Sequence, residues 1–119
     1  MNTNVETQGF SLTPALGSWT HSQVAESLGR FEQAIRRIDF HLSDAHGPEG
    51  GTGMSAAITV FLKHRAPIRI ATVRPDGYAA IAVTAKRAEQ AVERALSKRR
   101  SLQRSARRWR YANAVTAPL

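Results

Sequence analysis

The sequence predicts an α+β domain in which one four-stranded sheet carries both of its helices on a single face. Three observations carry that prediction. Apolar residues recur at steps of three and four in two separate stretches, Leu16 to Ile35 and Ile81 to Leu96, which is the spacing of an amphipathic helix. Between them, residues alternate in character every second position, as in a half-buried strand. Breaks rich in glycine and proline separate those strands, where the chain must turn. The order is β-α-β-β-β-α, which buries one sheet face under the helices and leaves the other to solvent or a partner.

Taken in order, Asn4 to Phe10 has the valine, threonine and phenylalanine content of a first strand, with Gly9 a bulge position near its end. Thr13 followed by Pro14 starts the first helix, because the threonine oxygen can accept from an orphan amide and proline is tolerated where no helical donor is needed. Leu16, Thr20, Val24, Leu28, Phe31 and Ile35 then form the core stripe of a helix reaching Arg36. Gly17, Ser18 and Gly29 interrupt its helix formers, and Trp19 projects off the stripe. From Ile38 the period becomes two, with Ile38, Phe40 and Leu42 alternating with Asp39, His41 and Ser43. Residues 45–53, AHGPEGGTG, form a long hairpin connection. Ile58, Val60 and Leu62 mark the third strand, and Ile68 and Ile70, flanked by Pro67 and Pro75, mark the fourth. The final helix runs from Asp76 to Arg100, with Ile81, Ala85, Ala88, Val92 and Leu96 on one face.

A chain of 119 residues with 42% apolar content closes one core. The sequence holds no run near the ~20 apolar residues that span a bilayer, and Met1 to Gln8 lacks the basic and then apolar layout of a signal peptide. Absence of cysteine excludes disulfides, thiolate metal sites and thiol nucleophiles, and fits a reducing, cytoplasmic setting.

Charge is distributed unevenly. Through Glu93 there are nine basic and nine acidic residues, so the formal net charge of +8 belongs to the last quarter. That quarter contains Arg94, Lys98, Arg99, Arg100, Arg104, Arg107, Arg108 and Arg110, with Trp109 and Tyr111 interleaved and no carboxylate. Guanidinium groups pair with phosphates and aromatic rings stack on bases, so a polyanionic partner is indicated. At about 100° per residue, Arg87, Arg94 and Lys98 fall in one narrow strip of the last helix, while Glu89 and Glu93 lie on the opposite flank. Such a strip is most often merely solvated surface, but its continuation into an acid-free segment favours binding. Lys86, next to Arg87, joins the basic candidates. Exposed ion pairs are worth at most ~1 kcal/mol and do not account for the segregation.

Catalytic readings find little support. His41, Asp44, His46 and Glu49 run from strand to loop without the spacing of a metal site. The glycine-rich loop is followed by no Lys-Ser or Lys-Thr pair, so it is not a nucleotide-hydrolase phosphate loop. Ser43 and Ser55 lack a paired base, and the carboxylates form no two-residue acid/base site. We therefore expect no enzyme, no cofactor, no metal, no small-molecule substrate and no membrane partner.

Thr13-Pro14-Ala15-Leu16, Phe31 through Ile38 (FEQAIRRI), Asp44 with Gly47-Pro48 and Gly50-Gly51, Asp76 through Ile81 (DGYAAI) and Ala88 through Arg94 together carry a resemblance. The sequence resembles the ribosome hibernation promoting factor family, also called the ribosome-associated inhibitor or sigma-54 modulation family, in its short form. The resemblance covers Val5 to Arg100 in the same element order. It departs in an extra turn in the first helix, in Thr52-Gly53-Met54 where an Asp-Lys-x-Cys often follows the glycine pair, and in stopping where long members continue into a dimerising domain.

The resemblance implies a ribosome-binding domain over residues 1–100; the acid-free composition beyond it is expected to form a basic, flexible tail over residues 101–119. It implies a stress-responsive translation inhibitor that occupies the decoding channel of the small ribosomal subunit, contacts its rRNA, and excludes messenger and tRNA without chemistry. It further implies a separate ribosome-dimerising factor as a second partner. Its basic positions fall on Arg87 and Arg94, with Lys98 one turn on, and on Arg37, expected to close the first helix. Stacking by Trp109 and Tyr111 lies outside the resemblance, and the alternative of incidental aromatics in a tail stays open. Two other classes also stay open: a general binder of double-stranded or structured RNA, and a protein-interaction module using the open sheet face with Phe61 and Val73.

Overall fold

The computed structural model orders the chain as β1 (Asn2–Gln8), α1 (Pro14–Leu28), a 3-10 helix (Gly29–Ala34), β2 (Ile35–Asp44), β3 (Met54–Leu62), β4 (Ile68–Arg74) and α2 (Gly77–Thr116). The structure describes residues 1–44 and 53–116, with side chains through Lys98. The connection expected at residues 45–53 lies outside the described residues except for Gly53, as do His46 and Glu49.

The sheet is ordered β1-β2-β3-β4, with β1 parallel to β2 and the remaining pairs antiparallel. Register aligns three inward rows across it: Thr3, Ile38, Val60 and Ile68; Val5, Phe40, Ile58 and Ile70; Thr7, Leu42, Ala56 and Thr72. A strand sends alternate side chains to opposite faces, so these rows collect most of the large apolar positions of the strands onto one side. There α1 lays down Leu16, Thr20, Val24 and Leu28, and α2 lays down Ile81, Ala85, Ala88 and Val92, all buried. The two helices also pack on each other, giving the expected two-layer α+β fold.

Three boundaries differ from the sequence reading. The first strand begins at Asn2 and ends at Gln8, because Gly9 at φ +91° turns the chain out of the ladder. The first helix stops at Leu28 and the chain tightens into the 3-10 segment, which keeps Phe31 buried while freeing Ile35 for β2. Ile35 then pairs with Leu62, and Lys63 N donates to Ala34 O at 2.9 Å. The ladder thus supplies the backbone partners that another helical turn would have supplied. The last helix continues past Arg100 to Thr116, since residues 101–116 contain neither glycine nor proline and are rich in arginine, alanine and other tolerant helix formers.

Beneath the start of α2 the layers approach closely through small side chains, Ala56 and Thr72 against Ala80 and Thr84. The Thr72 and Thr84 hydroxyls lie 2.6 Å apart, with the Ala80 and Ala56 carbonyl oxygens at 3.3 and 3.4 Å as further acceptors. Because a buried hydroxyl deprived of its partner bears its desolvation cost, Thr84→Val is expected to lose about 1–2 kcal/mol. The Thr72→Val/Thr84→Val pair should lose less than the sum of the single changes, measured by urea unfolding.

Gly9 provides a second test. A Cβ there would sit 3.0 Å from Asp44 Oδ2 on a positive-φ backbone, so Gly9→Ala should lower stability by about 1–2 kcal/mol. A shifted urea midpoint at unchanged slope is the expected readout.

Candidate nucleic-acid interface

The exposed side of α2 is built by the same periodicity that buries its other side. With Ile81, Ala85, Ala88 and Val92 locked onto the sheet, the helix turns Arg87, Arg94 and Lys98 to solvent as one ridge. On the side facing the first helical segment, Glu93 and Glu89 meet Arg30 at 3.2 and 3.7 Å, and Lys86 reaches Glu89 at 3.6 Å. The acidic side chains of α2 are therefore neutralised within the helical layer. Among the described residues Arg87, Arg94 and Lys98 have no carboxylate partner, and Arg94 Nε donates only to Gln90 O at 3.5 Å. Two shallow grooves lie along this side, about 370 Å³ beside Lys86 and Arg87 and about 590 Å³ beside Arg94. Such a ridge suits phosphates arrayed along a folded nucleic acid and offers little to a single base edge.

Arg37 lies elsewhere. It does not close the first helix; it stands in β2, and because Ile38, Phe40 and Leu42 point inward it points to the face away from the helices. Its guanidinium covers the Phe61 ring at 4.1 Å and approaches Asp39 Oδ2 at 3.5 Å. Arg87, Arg94 and Lys98 are thus brought together, Lys86 turns toward Glu89 on the neighbouring flank, and Arg37 is on the other side of the sheet. The side chains of Arg99, Arg100, Arg104, Arg107, Arg108, Trp109 and Arg110 lie outside the described residues; their backbone continues α2. The residues from Ser97 to Thr116 extend that helix about 30 Å beyond Leu96, the last described side chain packed on the core.

Sequence reasoning missed the contribution of the β3–β4 turn. Arg65 Nη1 donates to Ala95 O of α2 at 2.5 Å, which ties the turn to the helix one residue from Arg94. Arg36, Arg37 and Arg65 therefore gather at the end of the sheet past which α2 projects. The adjacent Arg36 and Arg37 were a visible signal, whereas Arg65 carried none before the strands were paired. At the opposite end Trp19, expected to leave the stripe, is exposed and donates from Nε1 to Tyr78 O at 3.0 Å, its ring edge-on to Tyr78 at 5.8 Å.

The described residues contain no cluster of three His, Asp or Glu placed to hold a metal ion, and no described helix is long and apolar enough to cross a membrane.

The fold is similar to that of the protein Y N-terminal domain from Thermus thermophilus, with TM-score 0.67 and 25% identity over 79% of this chain and 98% of that one. A ribosomal subunit interface protein from Coxiella burnetii shares the fold at TM-score 0.68, with 16% identity over 82% and 99% of the two chains. No curated protein matches the chain in sequence. The profile of one protein family matches residues 3–100, the span of the sheet and the packed part of both helices. With its element order, inward rows and helical layer in place, the chain belongs to the sigma 54 modulation protein / S30EA ribosomal protein family.

Proposed function

We propose that this protein is a ribosome-associated inhibitor of translation that sets the α2 ridge against small-subunit rRNA in the decoding channel and excludes messenger and tRNA by occupancy. The observation that carries the reading is the sorting of charge on α2, where Glu89 and Glu93 pair with Arg30 while Arg87, Arg94 and Lys98 have no carboxylate partner among the described residues on the outer side. Membership in a family described as ribosomal supports it, as does similarity to the protein Y domain. No bond is made or broken in this reading, so the role asks for no cofactor and no catalytic residue. Binding rests on phosphate contacts, which give affinity that depends on shape and salt rather than sequence. Residues 1–100 form the binding domain, and the basic residues from Arg99 to Arg110 add further phosphate contacts along the helical extension. Such a role places the protein in the cytoplasm.

Co-sedimentation with isolated small subunits across a salt series, with naked RNA duplex in parallel, tests this reading. Saturation near one copy per particle, with weaker binding to the duplex, is expected. Equal and non-saturating binding to both would replace it with general binding of structured RNA. The open sheet face, where Val73 is 55% exposed, favours a protein partner as a second reading; retention that is indifferent to salt would select it.

A further inference from the structure

At the end of the sheet, Arg36, Arg37, Arg65, Phe61, Asn2 and Pro67 line a groove of about 480 Å³, within the range of roughly 300–1,000 Å³ typical of small-molecule sites. Its construction follows from one irregularity. The pairing of β2 with β3 shifts between Ile35 and Arg37, so Arg36 is the extra residue of a bulge. Bulges of this kind re-aim side chains at sheet edges. Without it, strict alternation would send one of two neighbouring residues into the core; with it, Arg36 and Arg37 are both exposed while Ile35 and Ile38 are both buried.

The three arginines are held differently. Arg65 is partly buried, and its Nη1 is anchored on Ala95 O, which leaves its other donors for a ligand. Arg36 has no carboxylate partner among the described residues. Arg37 carries its guanidinium over the Phe61 ring at 4.1 Å and its Nε 3.5 Å from Asp39 Oδ2, with its side chain 54% exposed, so the ring and the carboxylate brace it while its outer side is open to solvent. A braced guanidinium plane is a platform on which a base stacks, and two flanking guanidinium groups suit a phosphate.

We propose that this groove binds a nucleotide, its base stacked on the outer face of Arg37 and its phosphate between Arg36 and Arg65. The occupant is either an unpaired nucleotide of a bound RNA or a free mononucleotide, and both present the same chemistry. The site lies on residues apart from the α2 ridge and does not rest on the ribosomal reading, which can fail in sedimentation while this site stands.

The test is an NMR titration of the isotope-labelled full chain with adenosine monophosphate, adenosine, inorganic phosphate and a short single-stranded oligoribonucleotide. The monophosphate should shift the amides of Arg36, Arg37, Phe61 and Arg65, and should bind roughly tenfold more tightly than adenosine or phosphate alone, since each lacks one of the two contacts. Arg37→Lys keeps the charge but removes the plane and should weaken monophosphate binding by roughly tenfold, whereas Arg74→Ala, at the far end of β4, should not. The dispersed spectra of both variants establish that the fold is retained. Tighter binding of the oligonucleotide through the same amides assigns the groove to unpaired RNA, and equal or weaker binding assigns it to free mononucleotides. Phosphate binding as well as the monophosphate, an unaffected Arg37→Lys variant, or shifts confined to α2 would each overturn the proposal.

Discussion

Exchanging Arg87, Arg94 and Lys98 together for alanine is expected to lower affinity for small-subunit rRNA by about two orders of magnitude at low salt. Each exposed charge contact is worth about 1 kcal/mol, and three give ~3 kcal/mol, a factor of about 10². The same variant should flatten the plot of log affinity against log salt by about 2–3, because three fewer phosphates release their counterions. Stability should change by no more than about 0.5 kcal/mol, since all three side chains are exposed and make no ion pair among the described residues. Loss of binding with an unchanged melting curve is therefore the signature of an interface. Filter binding across a salt series and thermal unfolding on the same sample check both halves.

The largest effect on folding is expected at Phe40. It is 1% exposed and sits on the second strand of the row Val5, Phe40, Ile58 and Ile70, covered by the helical layer. Phe40→Ala should cost about 3–5 kcal/mol, combining the lost transfer energy with a cavity that rigid neighbours on both flanking strands cannot close. Against total stabilities of about 5–15 kcal/mol for domains of this size, that leaves a marginal fold. Urea unfolding should show a greatly reduced midpoint, and Phe40→Leu should recover most of the difference.

The core was legible because each element obeyed one period. Ile38, Phe40 and Leu42 announced a strand, and Ile81, Ala85, Ala88 and Val92 announced a helix; all seven are buried where that reading placed them. The junction between α1 and β2 was hidden by the bulge. Ile35 and Ile38 are three apart, a helical spacing, although both are strand residues facing the same side with an extra residue between them. Arg37 was misplaced for the same reason. The far end of α2 was hidden because dense positive charge reads as a tail, whereas arginine and alanine also propagate a helix.

The candidate interface divides along the same line. The α2 ridge depends on residues three and four apart on one element, so Arg87, Arg94 and Lys98 could be grouped from sequence. The groove draws Arg65 from the β3–β4 turn and Arg36 from the bulge, and no local pattern relates those positions. Arg30, which neutralises Glu89 and Glu93 across the helical layer, was likewise invisible until the helices were packed. Helical periodicity separates the acidic side of α2 from the basic one, and Arg30 meets the acidic side, which leaves the basic side facing solvent.

Displacement of the labelled protein from isolated small subunits by excess tRNA tests occupancy of the decoding channel most directly. The account predicts competitive release, with the tRNA concentration required rising in proportion to the bound protein's affinity, and no release by an equal mass of RNA duplex. Protein that stays bound when tRNA saturates the subunit, or that leaves equally with duplex, would contradict it.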